Sequence, residues 1–317
     1  MISFRYHIVS IVSVFLALAV GVALGGGPLK GEVDNTLVKQ VETDRKVKAE
    51  LQAQINDLRG AREFSDAFAS NVAPDLLNGQ LDGRPVTLVV LPGAEEDSVT
   101  SVGNFVNVAG GSVTGTVRIG PELVDVANKQ LVDELADQLL DGAKDVSVPD
   151  DASAYDRLGA LVARAIATDE DGGAEVDDTA TSILSGLSTA NLMSAEGDLA
   201  QRGSLVVFVA GPGSGSVDER QGSNTIVSSI AAAVDARSDG VVVAGPAESA
   251  RPNGLVTAVR SNVAVAKDVS TVDVVGRDAG AVVAVLALAE QATGKVGHYG
   301  ASDAPDGAMP GAAPTEE

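Results

Sequence analysis

The sequence predicts an α/β protein, in which an N-terminal transmembrane helix and a coiled-coil helix precede a mostly parallel-sheet α/β domain built from two βαβ-like halves. Three observations lead to this fold class. An uncharged apolar segment opens the chain, a proline-free heptad pattern follows it, and buried-strand runs then alternate with helical patterns. The predicted divisions are a cytoplasmic flank at 1–7, a membrane anchor at 8–27, a coiled-coil helix at 32–70, an extracytoplasmic domain at 84–300 with halves at about 84–165 and 200–300, and a disordered tail at 301–317.

The composition excludes several classes of function. The 317 residues carry a formal net charge of −22, and residues 1–31 contain Arg5 and Lys30 but no acid, which leaves 20 basic and 44 acidic groups in the remainder. Such an acidic body repels nucleic acid, so no nucleic-acid partner is expected. Because the chain has no cysteine, disulfides, thiolate catalysis and thiolate metal sites are excluded.

The first element is the opening segment, which has no charge over the 17 residues from Ile8 to Leu24. A helix of that length spans about 26 Å, and extending it to Gly27 brings it to about 30 Å, enough to cross a bilayer. Arg5 before the segment and acids from Glu32 onward predict a retained single-pass anchor with its N-terminus in the cytoplasm. The alternative is a cleaved signal peptide, since small residues near Gly21 suit a peptidase.

A stripe of small residues, each four apart, runs along this predicted helix at Ala17, Gly21 and Gly25. Small residues at this spacing let two helices approach closely in lipid, which predicts a packing face. The other interpretation is that these residues, which are common in membrane helices, fall in register by chance.

Apolar residues spaced four and three apart predict a coiled-coil helix next. The seam consists of Leu37, Val41, Leu51, Ile55 and Leu58. Asp44 and Lys48 occupy the two remaining seam positions and could set register or partner choice. We expect residues 32–68 to form a homodimer or to pair with a helix of another protein, whereas the alternative is one amphipathic helix lying on the globular body.

The remainder alternates strand and helix patterns twice. The first half is predicted to contain a strand at 85–93, a helix at 95–111, a strand at 112–119, a helix from Pro121, and helical pieces at 150–200 around an acidic loop at 168–178. The second half is predicted to contain strands at 204–213, 240–245 and 262–266 and helices at 223–236 and 278–294. The shared order indicates a pseudo-repeat around one parallel sheet.

Two stretches carry chemistry that could be functional. The loop Gly211–Gly215 follows a strand and precedes a helix, where a phosphate cradle would lie, but it lacks the ending of a P-loop. It is either a ligand loop or a flexible turn. Ser270, Asp273 and His298 could imitate a hydrolytic triad, but no nucleophile elbow accompanies them. We expect the final His-Tyr turn to pack against the sheet and the protein not to be an enzyme.

Metal ligands are scarce and scattered. The softer ligands are His7, His298, Met1, Met193 and Met309. They fall on a membrane flank, on the body and in the tail, so the sequence predicts no metal site and no cofactor.

Three stretches give the chain a resemblance to a known family. ISFRYHIVSIVSVFLALAVGVALG, VSTVDVV and ALAEQATGKVGHYG resemble the actinobacterial family named for the mycobacterial copper transport protein B, the MctB family, from Met1 to about Gly300. The motif residues whose role the sequence does not give are Arg5, Tyr6, His7, Ser270, Thr271, Asp273, Gly297, His298, Tyr299 and Gly300.

The resemblance implies a membrane-associated envelope protein that acts in copper homeostasis and is proposed to form an outer-membrane channel. Corynebacterial proteins of similar sequence are linked instead to cell separation, with a membrane partner that controls peptidoglycan hydrolases. The short, continuously apolar strands disfavour a membrane barrel, whose strands alternate apolar and polar residues. With few soft ligands, we expect an indirect role in copper handling, from the plasma membrane or, alternatively, the outer membrane.

Overall fold

The computed structural model describes residues 4–25, 29–197 and 199–311, with side chains except at 29–36. The chain forms two units, Met1–Phe64 and Ser65–Glu317. In the first unit, α1 spans Phe4–Gly25 and is long and apolar enough to cross a membrane. The end of the predicted anchor, at Gly26 and Gly27, lies outside the described residues.

The second helix, α2, spans Leu29–Leu77 and passes through Pro74. It is longer than the predicted 32–70, although proline removes a helical hydrogen bond. Packing explains the extension, because Ala73 and Leu77 on either side of Pro74 are fully buried in the second unit. Burial of this kind outweighs the local preference of the chain to end a helix before proline.

A seven-stranded sheet forms the centre of the second unit, in the order β4-β2-β1-β6-β7-β8-β9, and every neighbouring pair is parallel except β2 with β4. The strands are β1 Pro85–Val90, β2 Ser112–Ile119, β3 Ala174–Glu175, β4 Met193–Glu196, β5 Gln201–Arg202, β6 Leu205–Val209, β7 Gly240–Ala244, β8 Ser270–Val272 and β9 His298–Tyr299. Strands β3 and β5 pair separately.

Helices cover both faces of this sheet. They are α3 Glu96–Val108, α4 Pro121–Val124, α5 Lys129–Gly142, α6 Ala154–Ile166, α7 Asp178–Thr189, α8 Val217–Asp235, α9 Leu255–Ser261, α10 Val263–Ala266 and α11 Asp278–Gln291. Along β6, Val206 and Phe208 belong to the core under α6 and α8, while Leu205 and Val207 belong to the core under α3 and α11. This alternation explains why the central strands are apolar at every position.

The predicted α/β class is confirmed, including the two βαβ halves, which join where β1 pairs with β6. One predicted strand is wrong, since 262–266 contains the helical turn α10. Asn262 initiates it by accepting a hydrogen bond from the Ala264 amide at 3.2 Å. The helix predicted from Pro121 is interrupted at Asp125, whose extended backbone and side-chain cap begin a 3-10 turn.

The C-terminal segment differs from the prediction. Residues 301–311, predicted to be disordered, form turns and bends. The Gly300 amide donates to the Gly307 carbonyl, and the His298 amide donates to the Asp306 carboxylate at 2.8 Å. These contacts hold the segment beside β9, while the rest of the predicted tail, from 312 onward, lies outside the described residues.

Candidate functional site

The VSTVDVV and GHYG motifs meet at one edge of the sheet. Strand β8 pairs in parallel with β9, so that Thr271 lies opposite His298 and Val272 opposite Tyr299. The two motifs are distant in sequence, and the sheet brings them together. The final turn was expected to pack against the sheet. In the structure, His298 and Tyr299 instead form the outermost strand of the sheet itself.

An arginine from α9 with a largely buried side chain, Arg260, joins these strands to the segment that follows. The Arg260 guanidinium pairs with the Asp273 carboxylate at 2.9 Å and donates to the Thr271 hydroxyl at 2.8 Å. It also donates to the carbonyls of Tyr299 at 2.9 Å and Ser302 at 2.6 Å. Charged groups this deeply buried require such complete pairing. Arg260 was not among the residues predicted from the sequence, although its position as a lone arginine in the mostly apolar stretch LVTAVRS is a signal of such a role.

Asp273 organises the chain after the last strand. Its carboxylate is fully buried and accepts the backbone amides of Ala301 at 2.7 Å and Ser302 at 3.2 Å. Gly300 has a φ of 142°, and a Cβ there would lie 2.0 Å from Asp273 Oδ1. The glycine of the motif is therefore required for the carboxylate to approach the backbone.

The three residues considered as a triad do not form a relay. The buried Ser270 hydroxyl accepts from the Gly297 amide at 3.0 Å and from Gln291 at 2.8 Å, whereas Asp273 pairs with Arg260. His298 Nδ1 lies 3.0 Å from the Thr271 hydroxyl. These contacts hold the edge of the sheet together and leave no serine–histidine hydrogen bond for nucleophilic activation.

Burial lowers the pKa of His298, and the positive charge of Arg260 acts in the same direction. The imidazole is therefore neutral near pH 7. Burial also raises the pKa of Tyr299, whose hydroxyl donates to the Glu290 carboxylate. Both side chains thus act as uncharged hydrogen-bonding groups within the edge of the sheet.

The N-terminal motif lies in the other unit. Arg5, Tyr6 and His7 fall in the first turn of α1 and are exposed, as are the small residues Gly21 and Gly25. The predicted seam residues of α2 are exposed as well: Leu37, Val41, Leu51, Ile55 and Leu58. The packing face of α1 and the coiled-coil seam of α2 therefore remain predictions from the sequence.

The Gly211–Gly215 loop borders a crevice of about 260 Å³ at the carboxyl ends of β1 and β6. The two loops that follow these strands touch there, because a Cβ on Gly211 would lie 2.1 Å from the Gly93 carbonyl oxygen. Gly213 and Gly215 both adopt positive φ, at 82° and 85°. The loop is thus bent sharply around the mouth of the crevice.

In the part of the chain that the structure describes, no cluster of three or more His, Cys, Asp or Glu side chains could hold a metal ion. Soft metal ions such as Cu(I) favour sulfur ligands, and none of the 317 residues is cysteine.

Nearly the whole chain matches a known protein family. A family model described as "Copper transport outer membrane protein, MctB" matches residues 1–310, from the apolar helix to the segment beyond the GHYG motif. The chain belongs to the MctB family. Members named "Copper transporter MctB" from Mycobacterium bovis and Mycobacterium tuberculosis are each 29% identical over 315 residues, covering 95% of this chain and 96% of theirs. The Mycobacterium leprae protein of the same name is 29% identical over 316 residues, with the same coverage.

In this MctB-family chain, the residues of the VSTVDVV and GHYG motifs have a structural role. They supply the buried carboxylate and the glycines that fasten the last strand. Their distinctiveness does not require a catalytic or copper-binding role.

Proposed function

We propose that this MctB-family chain is a non-catalytic, membrane-anchored protein of the cell envelope that affects copper indirectly. Its N-terminus would lie in the cytoplasm and its acidic body outside the plasma membrane. The observation that carries the proposal is the combination of a candidate membrane helix with a body whose open sheet has central strands that are buried on both faces. Such a body supports assembly with other proteins better than it supports a conducting pore.

The copper part of the proposal is tested with the purified full-length chain in detergent. Equilibrium dialysis against Cu(I) is expected to leave less than stoichiometric metal on the protein, because soft ligands are few and dispersed. Retention of one Cu(I) per chain would contradict an indirect role. A chain with His298→Gln serves as a control, since His298 lies in the sheet edge and its removal should not change the result.

The orientation is tested by single-cysteine labelling, for which the cysteine-free chain is a ready background. In intact cells, a membrane-impermeant maleimide is expected to label Ser188→Cys, an exposed position on α7, but not Ser3→Cys before α1. Labelling of Ser3→Cys alone would reverse the orientation. Edman sequencing of the same preparation distinguishes the retained anchor from a cleaved signal.

A second candidate function is a coiled-coil scaffold in cell separation that helps to regulate peptidoglycan hydrolases. The exposed apolar seam of α2 favours it, since such a stripe is typical of a helix with a partner. Two copies anchored in the same membrane would pair in parallel, which would place Asp44 opposite Asp44 and Lys48 opposite Lys48. This repulsion favours a different envelope protein, with opposite charges at those positions, over a homodimer.

Copurification from membranes tests the scaffold. The wild-type chain is expected to retain a helical partner, and Leu51→Asp with Ile55→Asp to lose it. Glu50→Gln with Asp57→Asn, on the exposed surface of the same helix, is the matched control. Unchanged recovery of the partner after the seam substitutions would reject the coiled coil. A crosslinked homodimer would show that the like charges at Asp44 and Lys48 do not prevent self-pairing.

A further inference from the structure

The crevice at the carboxyl ends of β1 and β6 lies at the topological switch point of the sheet. From β1 the chain moves to β2 on one side, and it later returns to β6 on the other side. Loops that follow two such strands diverge and leave a crevice, which is where open α/β sheets bind ligands. The volume of about 260 Å³ is slightly below the range of about 300–1,000 Å³ for drug-sized ligands, so the crevice suits a smaller molecule.

The floor of the crevice is aliphatic. The buried side chains that line it are Leu91, Val124, Ala210, Val227 and Leu255. None of them is aromatic, so the floor is suited to a branched or linear alkyl group and offers no ring on which a base or a sugar could stack.

The rim contains a cation without a carboxylate partner. Arg220 lines the crevice, and among the described residues no carboxylate lies within ion-pair distance of its guanidinium. One of its nitrogens donates to the Gly215 carbonyl, which holds the side chain along the loop. The remaining donors can bind a carboxylate in the paired geometry that guanidinium groups favour.

Hydrogen bonds from amide side chains fix the opposite wall of the crevice. Asn253 has a φ of 65°, and its carbonyl and side chain accept hydrogen bonds from Asn224 at 3.1 Å and Gln221 at 2.9 Å. These bonds hold Asn253 against α8. Asn224 donates through its side-chain nitrogen and also lines the crevice, where its side-chain oxygen can accept a hydrogen bond from a ligand.

Phosphate fits this site poorly. At the start of α8, the Ser216 amide donates to the Glu219 carboxylate at 2.6 Å, and the Glu219 amide donates to the Ser216 hydroxyl at 3.3 Å. This capping box occupies amides that a phosphate would need and places a negative charge beside them. Asp125 adds a second carboxylate to the lining.

We propose that the crevice binds a small aliphatic zwitterion, an amino acid or a short peptide. Its carboxylate would pair with Arg220, its ammonium group would face Glu219 or Asp125, and its alkyl part would lie on the aliphatic floor. In this arrangement the ligand contacts the cation of the rim, a carboxylate of the rim and the aliphatic floor.

Calorimetry with the full-length chain in detergent tests the class of ligand. The probes are L-leucine, L-alanyl-L-leucine, 4-methylpentanoate, isopentylamine and inorganic phosphate. At least one of the first two is expected to bind saturably, and the analogues that lack one charge to bind at least about tenfold more weakly, since each loses a charged hydrogen bond. Tighter binding of phosphate, or no heat from either zwitterion, would overturn the proposal.

Three variants locate the binding. Arg220→Gln removes the cation, and Ser223→Leu fills the crevice with a good helix former. Each is expected to weaken zwitterion binding at least about tenfold. Arg251→Gln is the matched control, because its side chain is 70% exposed and pairs with Glu248 in the neighbouring concavity. Circular dichroism verifies folding, and an equal loss in Arg251→Gln would place the ligand elsewhere.

Discussion

Arg260 and Asp273 form a buried ion pair at the edge of the sheet, with 9% and 0% of their side-chain surfaces exposed and 2.9 Å between Nη1 and Oδ2. The pair joins α9 to the end of β8 and, through the carbonyls and amides of 299–302, to the C-terminal segment. Two family motifs thus converge on one carboxylate.

Breaking this pair from one side should destabilise the protein strongly. Arg260→Gln leaves the Asp273 charge buried without its partner, and we expect the free energy of unfolding to fall by about 3–5 kcal/mol. Urea titration of the full chain in detergent measures the change. Arg251→Gln, which breaks an exposed pair with Glu248, should change stability by no more than about 1 kcal/mol. Equal effects of the two substitutions would contradict the assigned importance of burial.

Gly300 should not tolerate a side chain. Gly300→Ala places a Cβ 2.0 Å from Asp273 Oδ1 at a φ of 142°, so the carboxylate must move and its hydrogen bonds must lengthen. We expect a loss of at least about 2 kcal/mol and faster proteolysis after residue 299. Gly142→Ala, at the end of α5 with open space around the new Cβ, is the control and should be close to neutral. A neutral Gly300→Ala would show that the Asp273 loop can rearrange.

Asp235 should make stability depend on pH. Burial and the nearby Asp268 carboxylate raise its pKa from 3.8 to about 7. Because the folded state holds a proton that the unfolded state releases, this stabilisation is present below pH 3.8 and is lost as the pH rises through about 7. Asp235→Asn should flatten the fall in unfolding free energy between about pH 4 and 7. Asp141→Asn, which removes a carboxylate from the exposed surface of α5, is the matched control for the change in charge, and an equal flattening in this variant would contradict the assignment to Asp235.

Much of the fold could be predicted because its central strands are extreme in composition. The run PVTLVV must be buried on both faces, and Pro-Gly after it indicates the turn to a helix. Edge elements are less determined. Strand β4, with the sequence MSAE, has one buried residue out of four and pairs antiparallel at the border of the sheet. The sequence of such a strand has no alternation of apolar and polar residues, because hydrogen bonding to the neighbouring strand β2 determines where it forms.

The candidate sites were predictable only in part. The Gly211–Gly215 loop could be placed before a helix, but its neighbours across the crevice, such as Asp125 and Asn253, come from distant segments. Likewise, the two motifs contain Asp273 and Gly300, whereas Arg260, which pairs with Asp273, lies in α9 outside both motifs. Sequence spacing carries no information about contacts that the sheet order creates.

The Asp278 carboxylate binds the last turns of α2 to the helices that cover the sheet. Asp278, in the first turn of α11, accepts hydrogen bonds from the hydroxyls of Ser70 on α2 at 2.7 Å and Ser101 on α3 at 2.8 Å. Each is a charge-assisted hydrogen bond, so Asp278→Ala should cost about 1.5–3 kcal/mol. The expected local effect is faster amide hydrogen exchange in residues 65–77, because this segment loses the hydrogen bond from Ser70 to Asp278.

A double-mutant cycle isolates that hydrogen bond. Ser70→Ala and Asp278→Ala should be less than additive, with a coupling of about 0.5–2 kcal/mol. Asp97→Asn is the matched control, because Asp97 lines a shallow groove together with Ser70, Ser101 and Asp278 but supplies neither of these hydrogen bonds. Additive effects of Ser70→Ala and Asp278→Ala would mean that the fully buried Ala73 and Leu77 hold the helix without help from the carboxylate.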